Sequence, residues 1–270
     1  MNNTNQVPEK IAKPRSFSHS SLNYYRNCPR KYQLVYLTEG GREQKVDTIE
    51  LFLGKRVHEC LEILYMEANK GNLWTLSSLL GLYTLMWQDK WHSGINIVRK
   101  EYPMAHYKEL GIKCLTDYYN RFHPFNQHKL LSVEQKIKIK IADSNEFKMG
   151  GVVDRIDEIT PTHIEIHDYK TGKKMPSQKE CDEDKQLAAY AIGVLDMYPN
   201  VETVTLVWHY LQHDKDMTST RTKEQLEQLK SSLHLEINQV LEAIRNKAFP
   251  PKPSALCKWC EVKHLCPDAL

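Results

Sequence analysis

Met149-Gly-Gly-Val-Val-Asp-Arg-Ile-Asp-Glu-Ile159 and, after a turn at Thr160-Pro161, His163-Ile-Glu-Ile-His-Asp-Tyr169 decide the fold of this 270-residue chain. Each run reads as a strand, and the turn between them makes a hairpin. Residues two apart on a strand share a face, so Asp168 and Lys170 point the same way, and the hairpin sets Asp154 beside Asp168. Two carboxylates held together repel, and each resists ionising. A divalent cation resolves that conflict, and hard oxygen ligands suit magnesium or manganese. Such an ion lowers the pKa of a bound water and stabilises charge on phosphoryl oxygens. Lys170 is a point cation able to hold the attacking water or the pentacovalent phosphate. The pattern therefore points to metal-assisted phosphodiester hydrolysis. A lone Asp-x-Lys triplet is commonly a surface ion pair, and Asp154 could instead pair with Arg155 or cap a turn. The preceding Gly151, the strand alternation and the following Thr171-Gly172 turn favour a site.

Outward from this hairpin the chain alternates helices and strands. Upstream, Lys136-Ile-Lys-Ile-Lys-Ile141 alternates strictly, the mark of a strand with one wet and one buried face. Downstream, residues 182–197 read as one helix, Val201 to Leu211 as a strand and Thr222 to Arg245 as a long helix, ended by Pro250, Pro251 and Pro253. Nearer the start, residues 1–15 read as a loose tail, and Ser16 to Ser21 offers capping hydroxyls ahead of Leu22. The short helix that follows should be interrupted near Pro29 and resume from Arg30 to Leu37. Glu39-Gly-Gly41 reads as a turn, residues 50–69 as a helix, and residues 73–122 as helical with breaks at Pro103 and Gly111. Strands framed by helices predict an α/β fold, a mixed central sheet flanked by helices.

Two helical positions join the hairpin as candidates. Gly54, His58 and Glu62 stack at spacing four, and Gln186 and Tyr190 share a helical face. Unaided, His58 reads as a structural histidine and Gln186 and Tyr190 as helix-surface residues. The order of motifs is more specific than any one of them. Gly54-Lys-Arg-Val-His58, Gly151-Val-Val-Asp154-Arg-Ile-Asp157, Asp168-Tyr-Lys-Thr-Gly172 and Gln186-Leu-Ala-Ala-Tyr190 closely resemble the RecB-like branch of the PD-(D/E)XK nuclease superfamily. The resemblance implies a restriction-endonuclease-like core. It makes His58, Asp154 and Asp168 metal ligands, with the Tyr169 carbonyl as a further one. Lys170 becomes the catalytic lysine, and Gln186 and Tyr190 organise the site and the DNA strand. Glu134 shares the face of the lysine row and is left outside the catalytic set.

Seven cysteines is an odd number, and four of them stand at the two ends: Cys28, Cys257, Cys260 and Cys266. Three readings compete for the four: a four-thiolate zinc site, a cubane iron–sulfur cluster, or unligated packing. Cys60, Cys114 and Cys181 stand alone, where apolar packing is the default. One cysteine before the nuclease core and three after it resembles the iron–sulfur nucleases, among them the AddB-type nuclease domain and the CRISPR-adaptation nucleases. The resemblance implies a 4Fe-4S cluster, with zinc as the alternative, stapling the termini across a very long loop.

The resemblance and the spacing together divide the chain as one nuclease domain over 1–270. A clasp is formed by 16–40 and 250–270, a helical insertion by 70–130 and a catalytic sheet core by 131–212. Hydrophobic content of 41% and charged content of 26% predict a packed core. A net charge of +3 excludes a general affinity of the whole surface for nucleic acid, so binding must come from local clusters. Candidates are the Lys136/Lys138/Lys140 row, the Lys170/Lys173/Lys174 group, and Arg26, Arg30 and Lys31. The last three interleave with Tyr24, Tyr25 and Tyr32, a pattern that would stack and hold a single strand, unless the tyrosines are core. No apolar run is long enough for a membrane span, no secretory signal leads the chain, and clustered cysteines without export fit a reducing cytoplasm. The expected function is a metal-dependent DNA nuclease, an exonuclease on single-stranded ends, served by a helicase or integrase partner. The alternatives are a CRISPR-adaptation trimming nuclease, or a catalytically silent DNA-binding or zinc-clasped interaction module.

Overall fold

Five strands form one sheet in sequence order: β1 (Lys129–Ile139), β2 (Met149–Thr160), β3 (His163–Lys170), β4 (Thr203–Tyr210) and β5 (Lys215–Thr220). The computed structural model describes residues 16–141 and 147–269, so the expected tail at 1–15 lies outside the described residues. β3 and β4 run parallel and the other neighbours antiparallel, which is the mixed sheet that the sequence predicts. Hairpins join β1 to β2 and β2 to β3, whereas the parallel pair needs a helical crossover between β3 and β4. Both edges carry charge that blunts pairing with another sheet. On β1 and the two residues after it, Lys136, Lys138 and Lys140 face water while Ile137, Ile139 and Ile141 are buried.

Among the described residues, eight α-helices accompany the sheet. α1 (His19–Asn27) and α2 (Pro29–Tyr32) open the chain. α1 starts on a reciprocal cap between Ser18 and Ser21, and α2 begins with Pro29 in its first turn, where a missing amide proton costs nothing. α3 (Ile49–Asn69), α4 (Leu76–Lys90) and α5 (Met104–Phe122) pack on one face. Phe52, Leu61, Tyr83, Trp87, Leu115 and Tyr118 form that core with Tyr169 of β3. α6 (Gln178–Asp182) and α7 (Gln186–Met197) make the crossover, and α8 (Lys223–Arg245) follows the sheet. Ile156, Ile166 and Leu206 of the second face pack against Leu187 and Val194 of α7 and Leu233 and Ile237 of α8.

Four sequence expectations change. Gly111 does not break a helix; it lies inside α5, where a Cβ would come within 2.0 Å of the Tyr83 hydroxyl oxygen, so glycine lets α4 and α5 close up. The helix expected over 182–197 starts only at Gln186, where Asp184 Oδ1 accepts the backbone amides of Gln186 and Leu187, and α6 precedes it as a separate short helix. The lysine-row strand begins earlier, at Lys129. β5 has no counterpart among the expected strands: Lys-Asp-Met-Thr-Ser-Thr is polar and mostly exposed, so its edge position leaves no apolar period to read.

Candidate active site

The hairpin builds the floor of the site. Arg155 pairs with His167 across β2 and β3, so Asp154 and Asp168, one step on, share the opposite face. Tyr169 N–H donates to Asp154 Oδ2 at 2.8 Å and fixes that carboxylate. α3 brings His58 over it, with Nδ1 3.4 Å from Asp154 Oδ2 and Nε2 2.8 Å from the Tyr169 carbonyl oxygen. The close approach explains Gly54: a Cβ there would meet Thr171 Oγ1 at 3.0 Å.

A second polar unit borders the first. Lys170 Nζ lies 2.6 Å from Asp168 Oδ2, at ion-pair distance but outside hydrogen-bond geometry, which leaves that oxygen buried without a hydrogen-bond donor. Lys170 donates to Gln186 Oε1 at 3.2 Å, and Gln186 Nε2 donates to Asp168 Oδ1 at 3.2 Å. The first turn of α7 thus locks acid and lysine together. The Tyr190 ring, one helical turn on, lies where a Cβ of Gly151 would come within 2.3 Å of its Cε1, which explains the glycine ahead of Asp154.

The charges are strongly shifted. Burial pushes the Asp168 carboxyl up to about 6, and Asp154 adds to it against the pull of Lys170. For Asp154, burial is outweighed by His58, the Tyr169 amide and Lys170, which hold it below the usual carboxylate range. His58 is pushed the other way, to about 9, because Asp154 and Asp168 overcome its burial. The proton on the imidazole compensates the two acids, and a divalent cation held by His58 would take that proton's place, since only the neutral ring can ligate.

One residue enters that sequence reasoning left out. Glu134 of β1 falls between the pairs Val133–Arg155 and Gln135–Val153, directly opposite Asp154. Its backbone has φ +46°, a left-handed kink inside a strand. There its carboxylate, His58 and Asp154 offer ligand atoms all within 4.8 Å of one another. Burial, then Asp154 and Glu62, raise its pKa. The lysine-row periodicity points it at solvent among cations, and the kink cannot be read from alternation. Oxygen donors with one imidazole fit magnesium or manganese.

Arg155 does not pair with Asp154. It lies on the far face of β2, 3% exposed, donating to Asp157 Oδ2 at 3.0 Å, to the Tyr118 hydroxyl at 2.6 Å and to the Tyr169 hydroxyl at 2.8 Å. This buried network clamps the Tyr169 side chain from behind, while the Tyr169 amide and carbonyl face the site. The expected strand-holding cluster near the start is also not free. Tyr32 is core, Lys31 is 2.8 Å from Glu261, Arg26 is 3.8 Å from Glu236 and Arg30 is 3.6 Å from Asp268.

Cys28, Cys257, Cys260 and Cys266 line one cavity of about 100 Å³ between α2 and the C-terminal segment. The amides of Lys252 and Ser254 donate to the sulfurs of Cys28 and Cys257 at 3.4 and 3.5 Å. Cys60, Cys114 and Cys181 are buried elsewhere. Glu261 ties the segment down, accepting from the Tyr24 hydroxyl at 2.7 Å and giving its backbone oxygen to Val46 N–H at 2.8 Å.

Residues 16–267 match the sequence profile of the PD-(D/E)XK nuclease superfamily. Over 180 residues, 58% of this chain, the sequence is 28% identical to a subunit of the ATP-dependent helicase/deoxyribonuclease of Carboxydothermus hydrogenoformans, and it spans 16% of that subunit's length. A crystal structure of a candidate exonuclease from Eubacterium rectale superposes with a TM-score of 0.52 at 13% identity. That superposition covers 93% of this chain and 88% of the other, and it shows a shared fold.

Proposed function

This chain belongs to the PD-(D/E)XK nuclease superfamily, and we propose that it is a divalent-metal-dependent deoxyribonuclease that degrades single-stranded DNA from an end. The observation that carries this reading is the convergence of His58, Glu134 and Asp154 beside a buried Asp168–Lys170–Gln186 unit. In this reading His58, Asp154, Asp168 and the Tyr169 carbonyl hold the ion, with Glu134 added to them. Magnesium or manganese, when bound, acidifies water and withdraws charge from the phosphodiester. Lys170 orients the attacking water or the developing phosphorane charge. Gln186 holds Lys170 and Asp168 in register, and Tyr190 fixes the end of α7 against Gly151. Ion pairing with Asp168 raises the Lys170 pKa despite its burial, which favours its role as a cation beside the phosphate. DNA as the substrate, and a helicase as the partner, are drawn from the helicase/deoxyribonuclease relative.

In the same reading the chain is one nuclease domain, and the four end cysteines hold a 4Fe-4S cluster. One observation supports the cluster over zinc. Among the described residues, no three of these sulfurs lie within 4.8 Å of one another. A tetrahedral zinc ion with bonds of about 2.3 Å would draw them to about 3.8 Å.

The test is cleavage of end-labelled single- and double-stranded DNA with manganese, with and without chelator. Asp168→Ala and Lys170→Ala should each lower the rate by about 10²- to 10³-fold in protein that remains folded, because what is lost is transition-state stabilisation. Chelator should abolish wild-type cleavage. Undiminished cleavage by both variants would remove the assignment, and preferential decay of blunt duplex would remove the single-strand preference.

A further inference from the structure

The cavity at the metal site, about 560 Å³ and lined by His58, Glu134 and Asp154, does not end there. It meets a second cavity of about 450 Å³, and Glu50 and Thr171 line both. Three segments far apart in sequence wall this second space. They are the loop between α4 and α5 with Arg99 and Tyr102, the turn after β3 with Lys173, and the C-terminal segment with Trp259. Both cavities fall in the size range of ligand sites, about 300 to 1,000 Å³.

We propose that this groove is the path of the single strand into the site, with Arg99 and Lys173 on its phosphates and Tyr102 and Trp259 on its bases. The proposal rests on the nuclease reading above and adds to it where the strand lies. Arg99 and Lys173 are exposed, and neither has an ion-pair partner among the described residues. Arg26, Arg30 and Lys31, the cations on the other side of the clasp, are all taken by acids. Of the two cation groups beside the C-terminal segment, the one available to phosphate is therefore on the groove side. The Tyr102 ring is 37% exposed and stacks on His106 at 4.4 Å between centroids, a two-ring platform. Trp259 is half-buried, with no ring partner among the described residues. Aromatic platforms and free cations along one groove hold single strands without reading sequence. At the junction of the two cavities, Glu50 accepts from the Tyr107 hydroxyl at 3.4 Å through one oxygen, and its other oxygen has no partner. The negative charge of that carboxylate disfavours a phosphate there.

Anisotropy of a labelled oligothymidine of about twenty nucleotides, in chelator so that no hydrolysis intervenes, reads the path directly. Replacing Arg99 and Lys173 together by Ala should weaken binding about tenfold or more and flatten the log affinity–log salt slope by about 1.4, two phosphate contacts on a single strand. Replacing Tyr102 and Trp259 together by Ala should weaken it about thirtyfold or more, whereas replacing Arg26 and Arg30 should change it less than about twofold. Should the Trp259 variant fail to fold, photocrosslinking of the wild-type protein to a bromodeoxyuridine strand replaces it. Adducts on Tyr102 or Trp259 support the path; adducts confined to Tyr24–Tyr32 overturn it. Wild-type affinity in the Arg99/Lys173 variant also overturns it, and leaves the nuclease reading standing if that protein still cleaves with manganese. Binding that depends on the groove in a protein that never cleaves supports the path and removes the nuclease reading instead.

Discussion

Glu134 sets the limit of what a single residue's context can show. On β1 it is one more exposed side chain, and the register opposite Asp154, at a left-handed kink, is what brings it to the site. If it helps hold the ion, Glu134→Gln keeps the shape and removes the charge. The manganese concentration for half-maximal cleavage should then rise about tenfold or more, the size of effect seen when metal-site partners are lost. An unchanged metal titration would return Glu134 to the surface. His19 makes a different kind of statement. Burial, and then Arg26, whose Nη2 lies 3.1 Å from its ring, lower its pKa from 6.5 to about 4. The unfolded chain therefore binds the proton more readily than the folded one. The stability that the neutral ring contributes is whole above pH 6.5 and is lost as pH falls from there towards 4. Thermal melts of wild type and His19→Gln across that window should diverge, with the variant losing less on acidification. Parallel curves would show that His19 is not the titrating group.

At the scale of elements, the strands that carry the chemistry are the most legible part of the chain. Gly151-Val-Val-Asp154 and Asp168-Tyr-Lys170 lie within strands that end where alternation places them, because both faces of β2 and β3 are constrained by packing. The helices α3 and α8 are equally readable for their long apolar stripes and side-chain caps. What is not legible depends on partners distant in sequence. The polar edge strand β5 exists because β4 offers it a ladder, and Arg155 faces away from Asp154 because Asp157, Tyr118 and Tyr169 receive it. Gly111 is the sharpest case, since a glycine that reads as a helix stop is a contact between helices. Gly111→Ala should raise intrinsic helix propensity yet destabilise the protein by about 1–3 kcal/mol through overpacking against Tyr83. Adding Tyr83→Phe, which removes the clashing oxygen, should recover part of the loss. Denaturant unfolding of wild type and the two variants reads this, and a Gly111→Ala protein as stable as wild type would mean that α4 and α5 separate freely.

Across the whole molecule, the two ends of the chain are held together by protein contacts before any cofactor is considered. Glu261 takes the Tyr24 hydroxyl and Lys31, Lys252 Nζ donates to the Arg26 carbonyl at 3.0 Å, and Val262 is fully buried against Leu34 and Val35. These contacts place Trp259 on the groove and the four cysteines around one cavity, so clasp and strand path share a support. A cluster in that cavity would close a loop that runs through the entire nuclease core, and the entropy of closing it favours the folded state. Cys28→Ser and Cys260→Ser, at opposite ends of the sequence, should therefore behave alike. Each should lose iron and sulfide and melt earlier, by about 2–4 °C for every kcal/mol of stability removed from a chain of this size. Cys114→Ser, buried at 0% exposure in the core of α3, α4 and α5, should keep its full metal content. Anaerobic purification followed by iron, zinc and sulfide analysis decides the outcome. Near one zinc per chain with no sulfide would replace the cluster by zinc, and full metal content in Cys28→Ser would show that the first cysteine does not join the other three.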